Sequence, residues 1–102
     1  MITSKYFNVG KIVVTGGIDA VMRENSRFAA EINLSLQRYI VKDWGDLSEN
    51  DKQVNEDALQ YPDDLYLLAA YQTCEGKIYI ITNRITENAG ENGTTVCFSN
   101  ER

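Results

Sequence analysis

The apolar residues of this chain recur at two different spacings, and the change falls at its single proline, Pro62. Upstream, Phe28, Ile32, Leu36, Tyr39 and Ile40 lie three or four apart with Ala29 beside them, while Glu31, Gln37 and Arg38 fall on the opposite side. That is the stripe of an amphipathic helix, with Ser26 as its expected cap. Ile18, Val21 and Met22 repeat the pattern in a shorter helix after the Thr15-Gly16-Gly17 break, capped by Thr15 and ending near Asn25. A third helix, over about residues 48–60, opens on Ser48 with Asp51 three residues on, a capping signature. Val54, Ala58 and Leu59 give it a thin apolar stripe, and Pro62 ends it.

Downstream the period is two. Residues 65–73 read as a strand, although Leu67-Leu68-Ala69-Ala70 suits a helix as well. Glu75-Gly76 turns the chain into residues 77–83, where Ile78, Ile80 and Thr82 share one face and Tyr79 and Ile81 the other. A polar loop over 86–93, ending in the hairpin pair Asn92-Gly93, leads to a last strand at 94–98. One earlier strand, residues 6–14, ends in Ile12-Val13-Val14. The order is β-α-α-α-β-β-β. In 102 residues it makes a single α+β domain, a mainly antiparallel sheet with helices packed on one face.

Charge is as uneven as the hydrophobic spacing. Eight of the fifteen acids (Asp43, Asp46, Glu49, Asp51, Glu56, Asp57, Asp63 and Asp64) crowd around the only Trp, with Lys52 the one base among them. That stretch carries −7 and the rest of the chain +2. Such a field selects partners by sign and argues against direct binding to nucleic-acid phosphates, which requires Lys and Arg. No apolar run approaches the roughly 20 residues needed to cross a bilayer. The N-terminus lacks a basic region followed by an apolar one, so the expected address is cytoplasmic. Cys74 and Cys97, in candidate strands, read as reduced thiols, and with no His a zinc site is not expected.

Several local patterns have a functional and a structural reading. Trp44 is either an exposed apolar anchor or a plug at the core edge, and Gly45 supplies a backbone shape other residues resist. Val13 to Ile18 has the strand-glycine-helix order of an anion-binding turn, without the further glycines of a dinucleotide fold. Asp46, Ser48, Asn50 and Asp57 match four positions of a calcium loop, but Asp51 stands where that loop requires glycine. No nucleophile-base spacing marks a catalytic site, and neither an enzyme nor a cofactor is expected.

Six segments are also similar to a known family: Lys5 to Val13, Ser35 to Tyr39, Lys42-Asp43-Trp44-Gly45-Asp46, Asp51-Lys52 with Asn55, Gly76 to Thr82, and Thr94-Thr95-Val96. Together they resemble small plasmid-related proteins carried on plasmids and integrative elements of gut Firmicutes. The resemblance spans nearly the whole chain, with the Asp-Trp-Gly-Asp block its most specific part. It differs at the C-terminus, where 83–93 is longer and the chain ends Asn100-Glu101-Arg102. No activity comes with it. It implies a setting, since short acidic accessory proteins of mobile elements often counter restriction and CRISPR nucleases.

The expected function is therefore an interaction protein that meets a basic surface, a nuclease's for example, through Asp43, Trp44, Asp46, Glu49, Asp51, Glu56 and Asp57, with carboxylates imitating phosphates. An alternative is a small-ligand binder using Tyr6, Tyr66, Tyr71 and Tyr79 on a sheet face. A homodimer paired through an exposed strand is a third.

Overall fold

The computed structural model describes residues 2–60, 66–83 and 93–101. Its elements run β1 (Lys11–Val14), α1 (Gly16–Glu24), α2 (Ser26–Tyr39), α3 (Glu49–Gln60), β2 (Leu67–Thr73), β3 (Gly76–Asn83) and β4 (Gly93–Phe98), then a 3₁₀ turn at Ser99–Glu101. The strands lie in the order β1-β4-β3-β2, with β1 parallel to β4 and the other pairs antiparallel. This is the expected α+β order, and Leu67 to Ala70 are strand. The predicted stop at Pro62 and the Asn92-Gly93 turn fall outside the described residues.

Local chemistry accounts for the helix ends. Thr15 accepts the Ile18 N–H at the start of α1, and Ser48 accepts the Asp51 N–H at the start of α3. At α2 the cap is Asn25 rather than Ser26: its Oδ1 accepts the Phe28 N–H, and Ser26 is already helical. The end of α2 carries the two bonds of a Schellman motif, Asp43 N–H to Arg38 O and Lys42 N–H to Tyr39 O. Lys42 takes the left-handed position, φ 67°, where glycine is usual.

The first strand is shorter than expected because residues 6–10 are turned. Tyr6 N–H bonds Ser4 Oγ, Gly10 N–H bonds Asn8 Oδ1, and Gly10 has φ 62°. Instead of extending the sheet, Phe7 packs edge-on against Tyr39, ring centroids 5.4 Å apart.

From β1 at one edge the chain crosses a face of the sheet as α1 and α2, and it returns as β2 at the other edge. Ile18, Phe28, Ile32, Leu36 and Tyr39 meet Leu67, Ala69, Tyr71, Ile78, Ile80 and Val96 in one core. Each fully buried large aliphatic or aromatic residue contributes about 1.5–3 kcal/mol. Three hydroxyls run through this core: Tyr39 to Thr82 at 2.6 Å, Thr82 to Thr94 at 2.7 Å, and Thr94 to the Val9 carbonyl at 2.6 Å. The carbonyl only accepts, so the protons point one way, from Tyr39 through Thr82 and Thr94 to Val9. Burial of Tyr39 pushes its hydroxyl well above the ordinary tyrosine range.

The helix α3 departs from its expected stripe. Val54 is 48% exposed, and Asn55 is buried in its stead beside Ala58. The Asn55 amide donates to Leu68 O at 2.7 Å and accepts from Leu68 N–H at 3.1 Å, pairing with the outer side of β2 as a strand would. Two residues on, Ala70 N–H bonds Trp44 O and Asp46 N–H bonds Ala70 O. The outward backbone groups of β2 are thus satisfied within the chain at Leu68 and Ala70, which opposes dimerisation through this edge.

Candidate functional site

The seven acidic-segment residues divide into those that hold the fold together and those that face water. Asp43 belongs to the first group. Arg38 Nε and Nη2 reach its two oxygens at 2.8 and 3.2 Å, and its Oδ1 also accepts the Gly45 N–H. The Arg38 guanidinium holds the Asp43 carboxyl below the usual range. Trp44 is only 4% exposed, with its ring edge-on to Tyr39 at 5.6 Å and its indole N–H donated to Glu56 Oε2 at 3.0 Å. The exposed-anchor reading of Trp44 is therefore corrected: it plugs the core edge.

Glu56 is the hub of this clasp, since Lys42 Nζ also reaches its Oε1 at 2.9 Å. Partial burial pushes the Glu56 carboxyl up, but the Lys42 and Trp44 hydrogen bonds outweigh it and the net displacement is downward. The unusual backbone of Lys42 aims its ammonium here and over the Tyr6 ring, 5.4 Å from the centroid. Neither Asp43 nor Glu56 is a free charge for a partner.

Asp46, Glu49, Asp51 and Asp57 remain exposed. Gln72 Nε2 lies 3.4 Å from Asp46, and Gln53 Nε2 lies 3.1 Å from Asp57, both neutral donors. Glu49 has Lys52 at 3.6 Å, yet its side chain is 93% exposed, so the pair is worth little. At about 100° per residue, Glu49, Gln53, Glu56 and Asp57 share the outer crest of α3. Asp51 points the other way, along the side that carries Asn55 and Ala58. A single row of phosphate-like carboxylates does not form.

On the inner side lies a groove of about 710 Å³. Asp46, Leu47 and Ser48 line it from the loop, Asp51, Val54 and Asn55 from α3, and Tyr66, Leu68, Lys77 and Tyr79 from the sheet. Of the four tyrosines expected to form a ligand wall, it gathers two. Tyr71 is in the core, its hydroxyl donated to Asp43 O at 2.6 Å, and Tyr6 lies near Lys5 and Lys42.

The other sequence candidates resolve structurally. At the start of α1, the anion beside Thr15 and Gly17 is the chain's own Glu101, bonded by Thr15 Oγ1 at 2.7 Å and by the Phe98 N–H at 2.9 Å. A Cβ on Gly17 would fall 2.7 Å from that carboxylate. Cys97 is buried in β4, whereas Cys74 sits in the β2–β3 turn rather than in a strand. Glu31 holds the Cys74 thiol above its ordinary range, the reverse of an activated nucleophile. Among the described residues no three His, Cys, Asp or Glu side chains converge to hold a metal, and no helix is long and apolar enough to cross a membrane.

Arg38 and Lys42, as partners of Asp43 and Glu56, and Asn55 and Lys77, as lining of the groove, were missed. Arg38 and Asp43 stand five apart at a helix end, a spacing that suggests their pairing; nothing local marks the other three.

The clasp makes a pH prediction. Asp43, Glu56 and Glu101 all have carboxyls lowered by folding. Their contribution is complete above the unfolded value of about 4 and is lost as pH falls through the folded values. The urea midpoint is expected to decline on acidification below about pH 4.5. Arg38→Gln removes the main cause of the Asp43 displacement, so it should lower stability at neutral pH and flatten this acid limb. An unchanged limb in that variant would show that the Arg38 pair does not contribute.

Set against family models, curated proteins and solved structures, the chain matches none of them.

Proposed function

We propose that this is a small acidic interaction protein that binds a basic surface on a protein partner, in the manner of a mobile-element inhibitor of a nucleic-acid-handling defence protein. The observation that carries the reading is the set of four exposed carboxylates, Asp46, Glu49, Asp51 and Asp57, on α3 and the loop before it. Asp46, Asp51 and Asp57 form no salt bridge with a described Lys or Arg. Asp43, Trp44 and Glu56 brace the loop and helix that carry these carboxylates. The setting implied by the plasmid-related resemblance agrees with it, and restriction or CRISPR nucleases are the partners to try first.

Charges displayed this way accelerate encounter with a basic groove by about 10- to 1000-fold, an advantage that salt removes. Binding to a candidate nuclease is expected to weaken at least about tenfold between roughly 50 and 300 mM salt. Asp51→Lys with Asp57→Lys should abolish it at either concentration. Binding that ignores both salt and charge reversal would overturn the proposal. The groove walled by Tyr66 and Tyr79 supports a second reading, a small-ligand binder, which a thermal shift with one nucleotide or signalling molecule would favour.

A further inference from the structure

We propose that the groove beside α3 is a socket for one basic side chain of the partner, an arginine or lysine on an extended segment. The inference rests on the reading of a basic protein partner and names where that partner is gripped. Cross-strand pairing sets the walls. Ala70 pairs with Tyr79 and Gln72 with Lys77, so Tyr79 and Lys77 share a sheet face with Leu68 and with Tyr66 two residues before it. That face is opposite the one covered by α1 and α2.

Two carboxylates enter from the other side, each on an anchored backbone. Asp46 is fixed by its N–H on Ala70 O at 2.7 Å. Asp51 stands one turn before Asn55, which grips Leu68 on both sides. Their separation from the sheet is thereby set before any ligand arrives, which lowers the entropy cost of binding.

The lining chemistry selects the ligand. Among the described lining residues two carboxylates face one lysine, a net negative charge that repels a phosphate or a carboxylate ligand. Leu47, Val54 and Leu68 offer apolar surface to the methylene stem of a long basic side chain. Aromatic faces attract the cation at its tip, and the protein already displays the interaction: Lys77 Nζ lies 5.5 Å from the Tyr79 ring centroid. The volume is within the roughly 300–1,000 Å³ range of ligand sites, enough for a side chain together with flanking backbone.

The test uses isotope-labelled protein titrated with a tetra-arginine peptide, and separately with a tetra-glutamate peptide, followed residue by residue by nuclear magnetic resonance. The arginine peptide is expected to move the amide signals of Asp51, Val54, Leu68 and Tyr79, and the glutamate peptide none. Asp46→Asn with Asp51→Asn keeps shape and the Ser48 cap, because that cap uses the Asp51 backbone, and should weaken binding about tenfold or more. Lys77→Gln removes the competing cation and should tighten it. Signals moving only on the outer crest at Glu49, Gln53 and Asp57, with the double Asn variant binding as before, would overturn the socket and leave the basic-partner reading standing. Equal response to the glutamate peptide would also overturn it. No response to tetra-arginine at low salt would remove the reading and the socket together.

Discussion

Alanine at Gly45 is expected to cost this protein about 3 kcal/mol, from about 1–2 of left-handed backbone strain and about 1–3 of overpacking. Gly45 has φ 73° and forms a parallel bridge with Ala70 at the rim of the sheet. A Cβ there would run into the Ala70 carbonyl and lie 2.7 and 2.8 Å from Cδ1 and Cε1 of Tyr71. Neither neighbour can retreat easily, because Ala70 is in the ladder and the Tyr71 hydroxyl is tied to Asp43. For a domain of this size the loss corresponds to a fall in Tm of about 15 °C. Two controls separate the causes. Gly76 has φ 110° with nothing within 4 Å of its Cβ position, so Gly76→Ala reports strain alone. Gly16 has open space and no positive φ, so Gly16→Ala should leave stability unchanged or raise it slightly. Equal melting of the Gly45 and Gly76 variants would refute the collision.

Truncating Trp44 to alanine should be comparably damaging, about 3–5 kcal/mol, the usual cost of removing a large buried aromatic side chain. The ring contacts Phe7 and Tyr39 and closes the core between α2 and α3. Trp44→Phe keeps a ring but loses the indole donor to Glu56. Lys42 still holds that carboxylate, so the expected cost is only about 1–2 kcal/mol, read from the urea midpoint by circular dichroism. The same variant discriminates between the two roles considered for this residue. A contact hot spot would lose at least 2 kcal/mol of binding, about 30-fold, on losing its indole. A core plug leaves affinity for the basic partner nearly unchanged, and that is the expected result.

Features set by neighbouring residues were readable in advance. Thr15 and Ser48 were recognisable as caps because the donors they satisfy lie three residues away. The Asn25 cap was misplaced by one because Asn25 and Ser26 are both good caps side by side, and only the backbone geometry separates them. The alternation in β3 was visible, since Ile78, Ile80 and Thr82 obey a local period. The parallel pairing of β1 with β4 was not, because it joins residues more than eighty apart. Val54 was placed inside by the rule that apolar residues are buried; the unpaired backbone at Leu68 required an amide there, and Asn55 meets it. Asp43 and Glu56 looked like solvated charge because the bases that neutralise them arrive through the fold. Arg38 does so across a helix end, and Lys42 through a left-handed residue that no composition rule foresees.

The bonds from Trp44 and Asp46 to Ala70 link two kinds of failure. If they open, the Ala70 donor and acceptor on the border of β2 become available to any copy of the molecule nearby, and chains would begin to stick to one another before they fully unravel. A variant chosen to weaken partner capture at this loop could therefore precipitate for an unrelated reason. Solubility must be measured beside affinity for every change between Asp43 and Asp46.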